Sequence, residues 1–310
     1  MDSQVTVIIP CLNVEDYIDD CLNSVLSRGS AVAEIFVVDN GSTDATLARI
    51  DAWQSAHPER RVHLIQEQNP GAPAARNAPL QDVKTEWIQF LDADDLLLPG
   101  KLLRQLEWAG PDVDVLVDSY ITLNGNRDKA TKIETAREVE VGLMRSSLGI
   151  TSSNLWRTAS IKRVNGWDVT RTSSQEYDLM LRLYQQGARF QFVDTARTLI
   201  QGRTHGQISQ SDPLNCWRNF VEIRKKILLS LDFSGLSTES QQQAFEGLFF
   251  GLRMLYPVDS ATSLRVHREL LSPRRFRPQP STHTTRWYCL AYRWTGFAGV
   301  ERLKRFVKGN

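Results

Sequence analysis

The chain has 310 residues, of which 41% are hydrophobic and 24% charged, so it can bury a large core as one large domain or two smaller ones. No run approaches the roughly 20 consecutive apolar residues of a membrane-spanning helix, and residues 1–4 lead into a strand without a basic or apolar signal region. The net charge of +1 hides an asymmetry, because residues 265–310 contain eleven Lys or Arg and only two acids.

Predicted strands and helices alternate through the first hundred residues. Short, β-branched apolar runs predict buried strands at 5–9, 34–38, 62–66 and 87–91. Helical spacing covers 15–28, and a second helix, capped by Thr43 or Asp44, runs to about Ala56. A loop at 71–78 enters a short helix, and Pro99 opens another. This alternation predicts an α/β fold with a mostly parallel central sheet flanked by helices.

The rest of the chain is less regular. Residues 124–135 are polar and charged, which predicts an exposed loop, and Thr198–Ile200 predicts a strand. After about residue 210 the pattern is wholly helical. We therefore expect a domain at 1–210 and a helical C-terminal region with a basic tail at 211–310.

The four cysteines are Cys11, Cys21, Cys216 and Cys289, and none forms a CxxC pair. This usage predicts reduced and mostly buried thiols, as in a cytoplasmic protein.

Three carboxylates, Asp92, Asp94 and Asp95, directly follow the predicted strand at 87–91. Acids at the end of a buried strand need a cationic partner. A divalent metal held by one or two carboxylates usually also holds phosphate oxygens, so the cluster suggests a diphosphate-bearing substrate. An Asp-rich turn that caps the next helix is the alternative, and the cluster alone leaves both open.

Other polar residues are expected to converge on this cluster, because ligands of parallel sheets bind outside the carboxyl ends of the strands. Asn13, Asp39 and Arg76 each follow a predicted strand. Asp39 could accept a hydrogen bond from a nucleotide base, and Arg76 could meet the base or the phosphates. Alternatively, Asp39 only stabilises a turn and Arg76 is a solvated surface arginine.

A general base should come from a different segment, across the cleft. Glu176 and Asp178 lie in the first turn of a predicted amphipathic helix, where they cannot share one face and should have different roles. Alternatively, both acids have no catalytic role and occur in this first turn because the helix dipole favours negative charge there. His205 follows the strand at 198–200 and could complete a metal site, although a lone histidine is more often a surface or core residue.

The order of these motifs resembles the family-2 inverting glycosyltransferases, which have the GT-A nucleotide-sugar-binding fold. The resemblance covers about residues 4–210. The segments that carry it are VIIPCLN with Glu15, VVDNGSTD, GAPAARN, LDADD, NGWD, QEYDLMLR and the loop with Arg203 and His205.

The resemblance implies a role for each matching residue. Glu176 corresponds to the catalytic base, Asp39 to the uracil-facing aspartate, and Asp92 and Asp94 to the DxD pair, with Asp94 as the metal ligand. The other implied residues are Pro10, Asn13, Glu15, Arg76 and Ala93 for donor binding and His205 for the metal. Two positions depart from the family pattern, because Gln175–Glu176 replaces the usual Glu-Asp and Cys11 replaces an aromatic residue.

The implied activity is transfer of a hexosyl unit from a nucleotide sugar, UDP-linked first of all, with Mn²⁺ or Mg²⁺. The implied acceptor is a saccharide or lipid-linked saccharide in cell-surface polysaccharide synthesis. An inactive nucleotide-sugar-binding scaffold and a nucleotidyltransferase are the alternatives. A dinucleotide-dependent oxidoreductase is disfavoured because no glycine follows the first strand.

Residues 148–167 correspond to the acceptor half of the family. The candidate acceptor-binding residues are Asp95, Ser153, Trp156, Trp167, Gln175 and Asp178. The two tryptophans could stack on a sugar, or they could be core aromatics.

The C-terminal tail carries a predicted apolar helix face of Trp287, Leu290, Trp294 and Phe297, with basic residues nearby. Such a face could lie on the anionic inner surface of the plasma membrane. Packing on the catalytic domain or in a homodimer is the alternative. We expect no nucleic-acid partner.

Overall fold

The computed structural model describes residues 5–26, 31–124, 129–201 and 212–308. The chain divides into two compact units, one of Met1–Arg137 with Ser147–Gln207 and one of Glu138–Ser146 with Ile208–Asn310. The domain boundary expected near residue 210 lies outside the described residues and stays a prediction.

The first unit is built on a seven-stranded sheet. The strands are β1 Val5–Cys11, β2 Val32–Asp39, β3 Val62–Gln66, β4 Trp87–Phe90, β6 Val115–Asp118, β9 Leu155–Arg157 and β10 Phe190–Val193. Their order in the sheet is β10-β6-β9-β4-β1-β2-β3. All run parallel except β9, which is antiparallel to both β4 and β6. The predicted mostly parallel sheet is thus confirmed.

Helices pack on this sheet through apolar residues at helical spacing. The described helices of this unit are α1 Ile18–Val25, α2 Thr46–Ala56, α3 Ala72–Asn77, α4 Lys101–Leu106, α6 Thr158–Arg163 and α7 Gln175–Gln185. In α1 the buried positions are Ile18, Cys21, Leu22 and Val25, which join the core formed by β1 and β2.

A second sheet has the four strands β5 Asp95–Leu97, β7 Tyr120–Leu123, β8 Ala130–Ile133 and β11 Thr198–Ile200. Their order in the sheet is β5-β11-β7-β8. The expectation of a loop over 124–135 was wrong for β8, which pairs with β7. The side chains of β8 are mostly exposed, so this edge strand lacks the alternation of apolar and polar residues that marks a half-buried strand in a sequence.

The second unit is helical. Its helices are α5 Val139–Arg145, α8 Pro213–Ser230, α9 Thr238–Leu255, α10 Ser260–Val266, a π-helical turn His267–Leu271, and α11 Arg286–Lys308. Gly247 allows α9 to lie close to α5, because a Cβ there would be 2.2 Å from the carbonyl oxygen of Met144. The predicted helical C-terminal region is confirmed.

The core of this unit surrounds Phe249, whose ring contacts those of Phe276, Tyr288, Tyr292 and Phe297. Burial of Phe297 corrects the predicted helix face. Gly296 has φ 67° and interrupts α11, so Phe297 turns inward. Trp287, Leu290 and Trp294 stay exposed.

All four cysteines are free, and three of them are buried, as expected. Within the described part of the chain, no helix combines the length and apolar character needed to cross a bilayer.

Candidate active site

Side-chain hydrogen bonds join the loops that follow β1 and β2. Asn13 Oδ1 accepts a hydrogen bond from the amide of Thr43 at 2.8 Å, and the Asn13 amide donates to Ser42 Oγ at 3.0 Å. Glu15 Oε2 accepts from the amide of Ala45 at 2.7 Å. Two of the predicted donor-binding residues therefore fix the loops at the carboxyl edge of the sheet. Pro10 lies at the same edge, within the last residues of β1.

Asp39 ends β2 and is buried. Its carboxylate accepts hydrogen bonds from the amides of Gly41 and Ser42, both at 3.2 Å, so it stabilises a tight turn. The next residue, Asn40, accepts from the amide of Gly71 at 2.6 Å and donates to the carbonyl oxygen of Glu67 at 2.9 Å. Asn40 thus joins a third loop to the edge, a role that sequence reasoning missed although Asn before Gly at a strand end signals a turn.

Arg76 brings three distant segments together. Its guanidinium donates to Asp92 Oδ1 at 2.6 Å and to Gln175 Oε1 at 3.1 Å, and lies 4.6 Å from the centre of the Trp167 ring. Arg76 is only 6% exposed. The acidic cluster and the start of α7, which carries Glu176, therefore meet at one buried cation.

The three clustered carboxylates have different surroundings. Ser152 Oγ donates to Asp95 Oδ2 at 2.6 Å and accepts from the amide of Asp92 at 3.1 Å. Asp95 is buried, whereas Asp92 and Asp94 are half-buried. Ala93, between them, is buried. Ser152 was not selected from the sequence, because nothing in its spacing separates it from its polar neighbours.

Two shifted pKa values place the acids near each other. Burial raises the pKa of the Tyr120 hydroxyl, and the charges of Glu176 and Asp95 raise it further. Burial also raises the pKa of the Cys21 thiol. The charges of Cys11, then of Asp95 and the other two acids of the cluster, raise this pKa further. Because both Glu176 and Asp95 act on Tyr120, they share one neighbourhood.

The two acids of α7 have different environments. Asp178 is buried, accepts a hydrogen bond from Arg182 Nε at 2.7 Å, and lies 3.1 Å from Arg171 Nε. Glu176 is half-buried. Asp178 therefore anchors its own helix, which leaves Glu176 as the acid of this turn with surface for a substrate.

The tryptophans are core residues. Trp156 and Trp167 pack edge-on against Phe90, with ring centroids 6.4 and 5.2 Å away. Both are buried, as is Ser153, so they present almost no surface to a saccharide. Asn77 holds the backbone of Trp167 by accepting from its amide and donating to its carbonyl oxygen, both at 2.8 Å.

Within the described residues, no group of three or more His, Cys, Asp or Glu side chains is arranged to hold a metal. His205 lies outside these residues. The half-buried carboxylates of Asp92 and Asp94 suit a Mg²⁺ or Mn²⁺ ion of the kind that takes one or two protein ligands and completes its shell with substrate phosphates and water.

Residues 6–169, more than half of the chain, match the sequence model of glycosyl transferase family 2. The chain belongs to this family. TuaG of Bacillus subtilis, a glycosyltransferase attributed to teichuronic acid biosynthesis, is 37% identical over 105 residues, which are 34% of this chain and 41% of TuaG. The succinoglycan biosynthesis protein ExoO of Rhizobium meliloti is 37% identical over 106 residues, 34% of this chain and 29% of ExoO. The chain thus spans less than half the length of these relatives.

Solved structures share the fold. TarS 1-349 of S. aureus, in complex with UDP-GlcNAc, matches with a TM-score of 0.64 and 19% identity, covering 100% of this chain and 93% of that one. The mannosyltransferase PcManGT of Pyrobaculum calidifontis, in complex with GDP-Man and Mn²⁺, matches with a TM-score of 0.59 and 16% identity, covering 99% and 88%. The expected GT-A fold and glycosyltransferase class are confirmed.

Proposed function

We propose that this glycosyltransferase transfers a hexosyl unit from a nucleotide sugar, a UDP sugar first of all, to a saccharide or lipid-linked saccharide, with inversion at the anomeric carbon. The observation that supports this most is the contact of Arg76 with both Asp92 and Gln175. The names of TuaG and ExoO, and the UDP-GlcNAc bound to TarS, favour a role in cell-surface polysaccharide synthesis.

The donor is proposed to lie at the carboxyl edge of the parallel strands. Asp39 would meet the base and Asp92 the ribose, beside loops held by Asn13 and Glu15. The Arg76 guanidinium would meet the base or the phosphates while it keeps Asp92 in place.

Asp94 is the residue proposed to hold Mn²⁺ or Mg²⁺, with His205 as a second candidate. A bound divalent ion would neutralise charge on the diphosphate leaving group. The donor set supports this, because half-buried carboxylates near a diphosphate are the usual protein ligands of these ions.

Glu176 is the proposed general base. It would accept the proton of an acceptor hydroxyl as that oxygen forms a bond to the anomeric carbon and the bond to the nucleoside diphosphate breaks. Gln175, held by Arg76, would fix the first turn of α7 and so the position of this carboxylate. Gln175 stays a candidate for the acceptor side, whereas burial leads us to omit Asp95, Ser153, Trp156, Trp167 and Asp178.

The test of this base is Glu176→Gln, which keeps shape and removes the proton acceptor. A panel of nucleotide sugars, screened with Mn²⁺ by thermal shift, identifies the donor. Turnover of that donor should fall about a hundredfold to ten-thousandfold, with donor affinity unchanged. Glu59→Gln, at an exposed position in the same unit, is the matched control. Near-full turnover in Glu176→Gln would contradict the assignment.

We also propose that α11 contacts an anionic membrane surface, which would put the enzyme beside a lipid-linked acceptor. Trp287, Leu290 and Trp294 are exposed, with Trp294 88% exposed, and Arg286 and Arg293 are exposed beside them.

Flotation with vesicles tests the membrane contact. The protein should float with anionic phosphatidylglycerol vesicles and less with neutral phosphatidylcholine vesicles, and Trp294→Ser should reduce flotation. Absence of flotation, or a concentration-dependent dimer that Trp294→Ser abolishes, would assign the face to protein contact instead.

A further inference from the structure

The second unit contains a cavity of about 420 Å³, and all of its described lining residues belong to this unit. Its volume lies within the range of about 300–1,000 Å³ that is usual for small-molecule sites. The walls come from the end of α5, from α8 and α9, and from the segment 279–284. Among the described residues, none of the motifs that carry the family resemblance contributes to it.

One wall of this cavity is aromatic. Phe220 and Phe250 line it, with ring centroids 6.2 Å apart, and the His283 ring lies 5.0 Å from that of Phe250. Trp217 extends the cluster, 5.7 Å from Phe250. These rings are exposed or half-buried, in contrast to the fully buried Phe249 of the core. Aromatic rings that stay partly exposed in a concave site suit the C–H face of a sugar ring.

The other wall is rich in amides. Gln242, Gln243 and Gln279 line the cavity with Glu246. Glu246 Oε1 accepts from the amide of Gln279 at 2.7 Å and from Gln242 Nε2 at 3.0 Å, while Oε2 accepts no hydrogen bond from the described residues. Gln242 Nε2 also donates to the carbonyl oxygen of Arg277 at 2.8 Å, so this side chain can offer a ligand only its acceptor oxygen. Because amide and carboxylate oxygens accept hydrogen bonds from hydroxyls, this wall matches a polyhydroxylated ligand.

The charge of the cavity favours a neutral ligand. Among the described lining residues, Arg145 is the one Lys or Arg and Glu246 the one acid. Arg224 stacks on Phe220 but is fully buried, and Arg253 beside the rim is paired with Glu301 at 3.4 Å, so neither presents an open cation to a ligand. A phosphate-bearing ligand would meet the Glu246 carboxylate without a surplus of cations to offset it. Burial also raises the pKa of Glu246, as expected for a carboxyl within a cavity.

The rim at 281–284 is held in a fixed shape. The amides of Ser281 and Thr284 each donate to the other residue's carbonyl oxygen, at 2.8 and 3.2 Å. Arg253 donates to the carbonyl oxygen of His283 at 2.7 Å and to Thr284 Oγ1 at 2.8 Å. A rim fixed before binding lowers the entropic cost of holding a ligand.

We propose that this cavity binds a neutral saccharide, with a sugar ring against Phe220 and Phe250 and its hydroxyls on Glu246 and the glutamine amides. The site goes beyond the proposed catalytic function and does not rest on it. By keeping a glycan bound to the enzyme molecule, it would raise the effective concentration of a saccharide acceptor.

Ligand-observed NMR on the full chain tests this proposal. The probes are neutral di- and trisaccharides of glucose, galactose, N-acetylglucosamine and rhamnose. At least one should bind with a Kd of about 1 mM or tighter. Glu246→Gln and Phe250→Leu should weaken its binding at least tenfold, and Trp294→Ala, an exposed aromatic of the same unit, should not change it.

Saturating UDP and Glu176→Gln should also leave this binding unchanged, which separates the cavity from the catalytic site. Gln279→Ala, at an exposed position, replaces Phe250→Leu if that variant does not fold. The proposal is overturned if no saccharide of the panel binds, if the cavity variants bind like the wild type, or if inorganic phosphate displaces the saccharide.

Discussion

The two units of the molecule use polar side chains in opposite ways. In the first unit, Arg76, Asn40 and Ser152 connect loops that follow different strands, and they leave half-buried carboxylates at the strand ends. In the second unit, polar groups support an aromatic core. Tyr288 donates to Glu301 at 2.7 Å, and His267 shares a hydrogen bond of 2.8 Å with Tyr292.

The two arrangements of polar groups differ in how open they are to a substrate. A parallel sheet brings distant loops to one edge, so its polar contacts can hold a reactive site that is open to substrate. Helices packed around Phe249 instead bury their polar groups as partners of one another, and the cavity beside Phe250 is where such groups are open to a ligand. Three variants test this contrast between the two units.

The largest effect on stability is expected from Asp178→Ala in the first unit. The change removes a buried carboxylate from Arg171 and Arg182, and it should cost about 3 kcal/mol in the free energy of unfolding, as measured with urea. Asp112→Ala, which removes an exposed partner of Arg189, is the control and should cost less than about 1 kcal/mol. Equal costs would show that Asp178 does not anchor α7.

Acid should destabilise the second unit through His267, because burial lowers the pKa of this histidine to about 4. In the unfolded chain this histidine has a pKa near 6.5, so between pH 6.5 and pH 4 it binds a proton that the folded protein excludes. The contribution of neutral His267 to the free energy of unfolding is therefore complete above pH 6.5 and is lost as the pH falls toward 4. The loss is up to about 3 kcal/mol. Urea unfolding between pH 7 and pH 4 should show a shallower decline in His267→Gln than in the wild type. Parallel declines in the two proteins would exclude His267 as the source.

The smallest effect is expected from Gly296→Ala, at the interruption of α11. Gly296 has φ 67°, and a Cβ at this position would have no atom within 4 Å, so the cost is that of the backbone conformation alone, about 1–2 kcal/mol. Gly235→Ala is the matched control, because Gly235 has equal space and no positive φ. If both variants unfold at the same urea concentration, the turn at Gly296 does not direct Phe297 into the core.

Much of the first unit could be predicted from its sequence, because β-branched runs such as Val5–Cys11 leave little alternative to a buried strand. Short elements could not. β9 has only three residues and runs against its neighbours, and β8 is an exposed edge strand without alternation. In α11, the period of a straight helix predicted that Phe297 shares a face with Trp294, but Gly296 interrupts the helix between these two residues.

Candidate residues of the site could be selected from the sequence, but their contacts could not. Asp39 and Arg76 were proposed from their places after strands, but the partner of Arg76, Gln175, is 99 residues away in the chain. Such pairings depend on tertiary structure. For the same reason, no local signal pointed to Ser152 or to the cavity beside Phe250.

A crystal structure of the protein with UDP and Mn²⁺ tests most directly whether Arg76 assembles one donor site from these separate segments. We predict that the nucleotide lies against Asp39 and Arg76, with the metal on Asp94 and the diphosphate facing Glu176. A nucleotide ordered elsewhere, with Asp39, Arg76 and Asp94 all clear of it, would contradict the account.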